Sequence, residues 1–173
     1  MRPKKIIFIC FLITFSNFYG QKSRMGETPT FSSKINLVSF NNPTSNGLNN
    51  DSILKYNKPI AIFFWLSTCG PCIKELNAVK GMNIFNEIKG KAKIIVVSDD
   101  RPKSYGTAKL IAKKNEWEFD MYFDIDYKLR NSLLNNWYGV PQVMILDKDK
   151  KIVLHKFGYR KGDENKIIDK LRE

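Results

Sequence analysis

The residues of this chain that could do chemistry most directly are two cysteines, Cys69 and Cys72, separated only by Gly and Pro. They follow the apolar run 60–66 and precede the segment 73–79, in which apolar residues recur at helical spacing. Two cysteines three apart on a first helical turn are close enough for a disulfide, and Pro71 fits a position where its missing N–H costs little. Such a disulfide closes almost no loop, so it would contribute little to folding entropy. The pair is therefore interpreted as a reversible redox couple and not as a structural staple.

The segments around this pair alternate between strands and helices. Strands are predicted at 35–40, 60–66, 92–98, 119–123, 142–146 and 151–156. Helices are predicted from the cysteines to 88 with a weak point at Gly81, at 103–114, at 127–135 and around Ile167, Ile168 and Leu171. We therefore expect an α/β fold: a central mixed sheet with one antiparallel edge pair, helices on both faces, and a C-terminal antiparallel hairpin plus helix.

The N-terminus has the character of a secretion signal. Basic residues precede the apolar stretch 6–15, which is too short to span a bilayer but has the length of a signal-peptide core. Cleavage after Gly20 would assign residues 1–20 to a signal peptide and 21–173 to one domain. An uncleaved N-terminal anchor is the alternative, because Phe18 departs from the small-residue pattern expected before a cleavage site.

Export would place the protein in an oxidising compartment, in the periplasm or associated with the envelope. Loss of residues 1–20 removes Cys10 and leaves Cys69 and Cys72 as the only cysteines of the mature chain. Cys10 lies inside the apolar run and is interpreted as one more hydrophobic residue, not as a lipid acceptor. No third thiol would then compete with the pair.

The 173-residue chain is basic, with a formal net charge of +12. This excess favours acidic partners or anionic surfaces. The lysines are spread over every segment and do not form one basic block, so a solvated surface is the better interpretation and no nucleic-acid partner is expected. We expect a monomer.

On these features the chain resembles the thioredoxin superfamily, and more closely its exported TlpA/ResA-like branch of thiol-disulfide oxidoreductases. The similarity covers roughly residues 30–173. It rests on the Phe-Trp strand that leads into CGPC at 64–72, on Glu75, on Val140-Pro141 before a strand, and on the hairpin 146–153. The resemblance implies an enzyme without a cofactor that reduces disulfides of exported proteins, with cytochrome c maturation among the family's roles. Its partners would be protein thiols and disulfides and an envelope or membrane electron donor.

The resemblance also implies roles for individual residues. Cys69, at a helix N-terminus, would be a low-pKa nucleophile, and Cys72 would be shielded and would resolve the mixed disulfide. Glu75, on the same helical face as Cys72, could carry the proton of Cys72, since Phe63 stands where cytoplasmic thioredoxins have a buried Asp. The alternative for Glu75 is an early-helix acid that only complements the helix dipole.

Pro141 would be the family's cis-proline, presenting the backbone of Val140 to an extended substrate segment. Trp65 is interpreted either as packing beneath the motif or as a substrate contact. Trp137 and Tyr138 could form an aromatic rim or be buried. Three departures from the family pattern, Thr68, Asn77 and Gln142, are expected on the surface that a client would touch.

A metal carrier is the alternative function, because two thiolates and His155 could hold a soft ion such as Cu(I). His155 falls in a strand pattern and is expected to be an exposed strand residue. The Gly-Pro pair between the cysteines is that of thioredoxin, whose potential is about −270 mV, so the redox interpretation predicts a reductase.

Overall fold

The computed structural model describes residues 24–31, 34–42, 47–82, 87–88, 90–134 and 137–173. The predicted signal peptide and Cys10 lie outside these residues, and so does most of the predicted extension of the cysteine helix beyond Gly81.

One mixed sheet organises the described part of the chain. Its strands are β1 (Val38–Ser39), β2 (Ile60–Trp65), β3 (Lys93–Ser98), β4 (Asp120–Phe123), β5 (Gln142–Leu146) and β6 (Ile152–Phe157). The helices are α1 (Asn50–Leu54), α2 (Gly70–Gly81), α3 (Tyr105–Lys114), α4 (Lys128–Leu133) and α5 (Asp163–Arg172), and a short 3-10 helix (Pro102–Ser104) precedes α3. The strands lie in the order β1-β4-β3-β2-β5-β6.

The centre of the sheet is parallel and its margins are antiparallel. β2 pairs with β3, and β3 with β4, in parallel, while β5 pairs antiparallel with both β2 and β6. Every residue of β2 is buried, because helices cover both faces. That is why its sequence is one apolar run without alternation. Three parallel strands therefore end at the same margin of the sheet, the margin at which β5 begins and β6 ends; we call it the CGPC edge.

Two apolar clusters cover the two faces of the sheet. The first combines Ala61, Phe63 and Trp65 of β2 with buried residues of α2, α3 and α5. The second combines Ile60, Ile62 and Phe64 with buried residues of α1 and α4. The alternation of side chains along β2 distributes it between the two cores.

The expected fold class is confirmed, with helices on both faces and a C-terminal hairpin and helix. Three details are corrected. β1 is only two residues long and pairs antiparallel with β4, so antiparallel pairing is not confined to one edge pair. β5 is antiparallel to the central strand β2. The short helix α1, with Asn49 accepting the backbone N–H of Ser52 as its cap, was not predicted, because its Asn-rich start is equally typical of a loop.

Candidate active site

The two cysteines lie in the turn that joins β2 to α2, at the CGPC edge. They form a disulfide with their Cα atoms 5.3 Å apart. Cys69 is the N-cap of α2, and its sulfur accepts the backbone N–H of Cys72 at 3.1 Å. Pro71 occupies the first turn of the helix, where no backbone N–H is required. The free N–H groups of this turn favour negative charge on the Cys69 sulfur in the reduced protein.

The two sulfurs differ in their access to solvent. Cys69 is half-buried at the surface, whereas Cys72 is 1% exposed and packs in the first cluster with Leu76 and Val79. An external thiol or disulfide can therefore reach Cys69 more readily than Cys72. This asymmetry suits one attacking and one resolving cysteine.

Glu75 is fully buried one turn beyond Cys72. Its Oε1 pairs with Lys156 Nζ of β6 at 3.1 Å, and the same ammonium contacts Asp163 Oδ2 of α5 at 3.2 Å. Burial raises the pKa of Glu75 above its ordinary value, and the Lys156 charge opposes that rise. Glu75 is therefore a buried carboxylate with a cationic partner and not a surface acid that only complements the helix dipole.

Val140 and Pro141 precede β5 and meet the cysteine turn through strand pairing. Phe64 of β2 pairs with Gln142, so Pro141 lies beside the end of β2 from which the turn departs. The Val140-Pro141 bond is cis, as the resemblance implied. Gly158 donates its backbone N–H to the carbonyl of Pro141 at 2.8 Å, which ties this loop to the end of β6.

Gln142 and His155 are not where the sequence placed them. Gln142 is buried and not on the client surface; its Nε2 donates to the carbonyl of Gly139 at 2.8 Å. Its Oε1 lies 3.0 Å from Nε2 of His155, which is half-buried and not an exposed strand residue. Burial lowers the pKa of His155, aided by the charge of Arg24. The Gln142 amide thus anchors the loop before Pro141.

The aromatic residues divide into core and rim. Trp65 is buried against Trp117, with ring centroids 5.1 Å apart, which is the arrangement that the packing interpretation of Trp65 predicts. Trp137 is partly buried against the second cluster, while Tyr138 is exposed and Thr68 lies at the surface as expected.

An acidic cluster beside the cysteines was not predicted. Asp100 accepts the backbone N–H and the hydroxyl of Ser67 at 2.8 and 2.7 Å, which fixes the turn two residues before Cys69. Asp99 pairs with Arg130 at 2.9 Å; burial raises the pKa of Asp99 to about 7, and Arg130 opposes the rise. A usable signal existed, because two acids directly after a buried strand must lie at the edge where the cysteines lie.

Arg130 connects this cluster to the proline loop. Its guanidinium stacks on the ring of Tyr127 at 4.1 Å and on that of Trp137 at 4.5 Å. A planar cation between two rings and a carboxylate is held in one orientation. Trp137, and with it the start of the loop to Pro141, is thereby fixed to the end of β3.

His155, the third ligand in the metal-carrier interpretation, does not lie beside the two cysteines. His155 pairs with Met144 of the second cluster, whereas Cys72 belongs to the first cluster, on the opposite face of the sheet. Within the described ranges, no three His, Cys, Asp or Glu side chains are grouped so that they could hold a metal ion.

No helix in the described ranges has both the length and the apolar character needed to cross a membrane.

The fold and the CGPC turn define a thioredoxin-like thiol-disulfide oxidoreductase. Residues 28–171 match the Redoxin family. The chain belongs to this family, which confirms the resemblance to the thioredoxin superfamily. A comparison with curated protein sequences found no match.

Solved structures share the fold over most of their length. A thioredoxin-like protein from Porphyromonas gingivalis is 27% identical with a TM-score of 0.61, covering 84% of this chain and 92% of that one. A thiol:disulfide interchange protein from Bacteroides sp. is 19% identical with a TM-score of 0.63, covering 85% and 91%. A secreted Mycobacterium tuberculosis disulfide oxidoreductase homologous to E. coli DsbE is 12% identical with a TM-score of 0.59, covering 82% and 96%.

Proposed function

We propose that this protein reduces disulfides of exported proteins through the Cys69/Cys72 couple. The observation that carries the proposal is the asymmetry of the pair: Cys69 caps α2 at the surface and Cys72 is buried behind it. A structural disulfide would gain nothing from this arrangement, since it closes almost no loop. A nucleophile and a resolving thiol require it.

The reaction transfers two electrons from the enzyme dithiol to the client. The Cys69 thiolate attacks one sulfur of the client disulfide; a mixed disulfide forms and the second client sulfur leaves as a thiolate that takes up a proton. The Cys72 thiolate then attacks Cys69 Sγ, which releases the first client thiol and forms the Cys69–Cys72 disulfide. An envelope dithiol protein must return two electrons and two protons to the pair before the next cycle.

Glu75 is proposed to take the proton of Cys72 during resolution. It follows Cys72 by three residues, so their side chains lie on one face of α2. Both residues are buried, and water is therefore a poor alternative acceptor. Burial raises the pKa of Glu75 and so favours its protonated form. The positive charge of Lys156 lowers that pKa and favours the ionised form, which can accept a proton.

The backbone of Val140 is proposed to pair with an extended client segment. The backbone carbonyls of Pro141 and Gly139 accept hydrogen bonds from Gly158 and Gln142, respectively. These bonds fix the shape of the loop. A fixed loop opposite Cys69 would orient the client disulfide for attack and reduce the entropy lost on binding.

We propose the periplasm or envelope as the compartment, with the protein released after Gly20 or retained by an uncleaved N-terminal anchor. The basic and apolar N-terminal segment supports export. The secreted M. tuberculosis protein of the same fold is consistent with it. Cytochrome c maturation is the client pathway that we propose from the resemblance to the TlpA/ResA-like branch.

Turbidity of reduced insulin in dithiothreitol tests the redox activity. The wild-type domain should accelerate precipitation and Cys69→Ala should abolish the effect, because the nucleophile is lost. Equal behaviour of the two proteins, together with tight binding of one copper ion by the wild type, would replace this proposal with the metal-carrier function.

Trapping identifies the clients and the order of the two cysteines. Cys72→Ser should accumulate a mixed disulfide through Cys69, visible as a larger species on non-reducing gels and lost on reduction. Cys69→Ser is the matched control and should trap little, since Cys72 is buried. More trapping by Cys69→Ser than by Cys72→Ser would reverse the assigned roles.

A further inference from the structure

The carboxyl of Glu75 lies in a nearly closed site that α2, β6 and α5 form together. Lys156 of β6 pairs with Val143 of β5, so its side chain lies on the face of the first cluster, where α2 and α5 also pack. The side chains of Glu75 and Lys156 are 2% and 16% exposed. The start of α5 brings Asp163 to the same place. A proton that Glu75 takes up is therefore exchanged between charges that the fold holds in position.

The ammonium of Lys156 is shared between two carboxylates. Its Nζ lies 3.1 Å from Glu75 Oε1 and 3.2 Å from Asp163 Oδ2, and it donates a third bond to the carbonyl of Gly158. A lysine ammonium has three N–H groups, so these acceptors use all of them. The cation is thereby fixed beside Glu75, and Asp163 competes with Glu75 for it.

Solvent meets this network at a cleft between the end of β6 and the start of α5. The cleft has a volume of about 450 Å³ and is lined by Lys156, Asp163 and residues 157–160. The side chain of Asp163 is 14% exposed, whereas Glu75 lies behind Lys156. Asp163 is thus the outer carboxylate of the shared cation and Glu75 the inner one.

Charged groups of β6 and α5 act on the protonation of Glu75. Burial raises the pKa of Glu75, and Lys156 lowers it through its charge and its hydrogen bond. The negative charges of Asp163 and Glu164 raise it. Burial and the neighbouring Glu164 raise the pKa of Tyr159, and the charge of Glu75 adds to that rise, so Tyr159 is a neutral neighbour near pH 7. Lys156 and Asp163 therefore act on Glu75 in opposite directions.

Building on the proposed function, we infer that Lys156 and Asp163 are positioning residues of the resolution step: the Lys156 ammonium holds the Glu75 carboxylate ready for the proton of Cys72, and Asp163 competes for that ammonium. Lys156 stabilises the carboxylate that takes the proton. Asp163 opposes it, because it draws on the same cation and adds a second negative charge. The balance allows Glu75 both to accept the proton and to release it afterwards.

The step conserves atoms and electrons. The sulfur of Cys72 bonds to Cys69 Sγ, the bond between Cys69 and the client sulfur breaks, and the client leaves as a thiolate that carries the electron pair of that bond. The client sulfur is reduced and the two enzyme sulfurs are oxidised. The proton of Cys72 passes to Glu75, which leaves Lys156 with Asp163 as its charged partner. Return of the proton to water restores the ion pair with Glu75.

A single turnover with the aromatic disulfide DTNB isolates this step. The reduced protein, mixed with equimolar DTNB, releases a first coloured thiolate when Cys69 attacks the reagent and a second when Cys72 resolves the mixed disulfide. The leaving thiolate needs no proton, so the pH dependence of the second release reports on the proton of Cys72. For the wild type we expect a rise in rate between about pH 5 and 8, as Glu75 ionises. E75Q should lack the rise and slow the second release at pH 7 by about 100-fold, the low end for a positioned general base.

Substitutions of the two positioning residues should move this rise in opposite directions. K156M should move it to higher pH and slow the second release about tenfold near pH 6. D163N should move it to lower pH, and Asn keeps a side-chain oxygen for the backbone N–H of Arg160. K156R keeps the charge and should stay near the wild type.

K166M is the matched control. Lys166 contacts Asp163 at 3.5 Å but is 77% exposed, so its loss makes the same change of net charge as K156M without touching Glu75. It should leave the rise where it is in the wild type. The first release, from Cys69, should agree within about twofold in all variants and reports an intact cysteine turn.

The outcomes separate this inference from the proposed function. Shifts of K156M and D163N in the same direction, or no shift in either, would overturn the positioning roles, while release of two thiolates by the wild type still supports the redox couple. If K156M does not fold, D163N decides alone, and the inference fails unless its rise moves to lower pH. An E75Q protein that keeps the rise overturns the role of Glu75 together with this inference. A wild type that releases only one thiolate has no resolving cysteine, which overturns the proposed function.

Discussion

Lys156→Met should destabilise the oxidised protein and do so mainly above acidic pH. Lys156 joins Glu75 to Asp163, and its ammonium also donates to the carbonyl of Gly158. Methionine preserves most of the chain length but removes the charge and all three contacts. The buried carboxylate of Glu75 would then have no cation beside it.

The magnitude follows from the burial of the pair. The side chains of Lys156 and Glu75 are 16% and 2% exposed. Removing one partner of a buried ion pair costs about 3–5 kcal/mol. We expect about 3 kcal/mol at pH 7, the lower end, because Lys156 is partly exposed and Glu75 can escape the penalty by taking up a proton.

The pH dependence identifies Glu75 as the origin of this loss. Burial already raises the pKa of Glu75 above its ordinary 4.5, and loss of Lys156 removes a charge that lowers it, so the pKa rises further. The penalty requires an ionised Glu75 in the wild type. It should therefore be small near pH 4.5 and grow as the pH rises to 7.

Urea unfolding of the oxidised proteins at pH 4.5 and pH 7 measures both effects. The double variant E75Q/K156M should recover part of the stability that K156M loses at pH 7, because no unpaired charge remains buried. Equal destabilisation by K156M at the two pH values, or strictly additive losses in the double variant, would refute the assignment of the effect to the ion pair.

Three further predictions concern the residues that support the site. Urea unfolding should show that the stability of the wild type, measured relative to Asp99→Asn, falls by at least about 1 kcal/mol between about pH 4 and 7. The reason is that the pKa of Asp99 in the folded protein, about 7, lies above its ordinary 3.8. Arg130→Met should raise KM for a protein client about three- to tenfold without changing the redox potential, with Arg130→Lys intermediate, since Lys cannot replace the planar stack on Trp137. Gln142→Ala should cost about 1–3 kcal/mol in thermal unfolding, because it removes the bond to the carbonyl of Gly139.

Local patterns were sufficient for the elements that carry the cysteines. An apolar run, a CGPC turn and an amphipathic helix are contiguous in sequence, so β2 and the start of α2 at Gly70 lie where they were predicted. The final hairpin was predicted for the same reason. β1 was overestimated because only two of its residues pair with β4, which no local pattern reveals.

The parts of the site that depend on distant residues could not be predicted. Lys156 and Glu75 are 81 positions apart, and nothing in either neighbourhood distinguishes Lys156 from the many solvated lysines. The sequence predicts that Gln142 lies on the client surface, because it directly follows Pro141. Its burial depends on pairing between β5 and Phe64 of β2.

The loop that ends at Pro141 and the turn that contains Cys69 belong to separate stretches of chain, which the pairing of β2 with β5 brings together. The sulfur chemistry can therefore stay fixed in evolution while the exposed residues of the loop vary. In the proposed function, a lineage could acquire new clients by changing an exposed residue of this loop such as Tyr138. Related proteins could then share one redox potential and serve unrelated pathways.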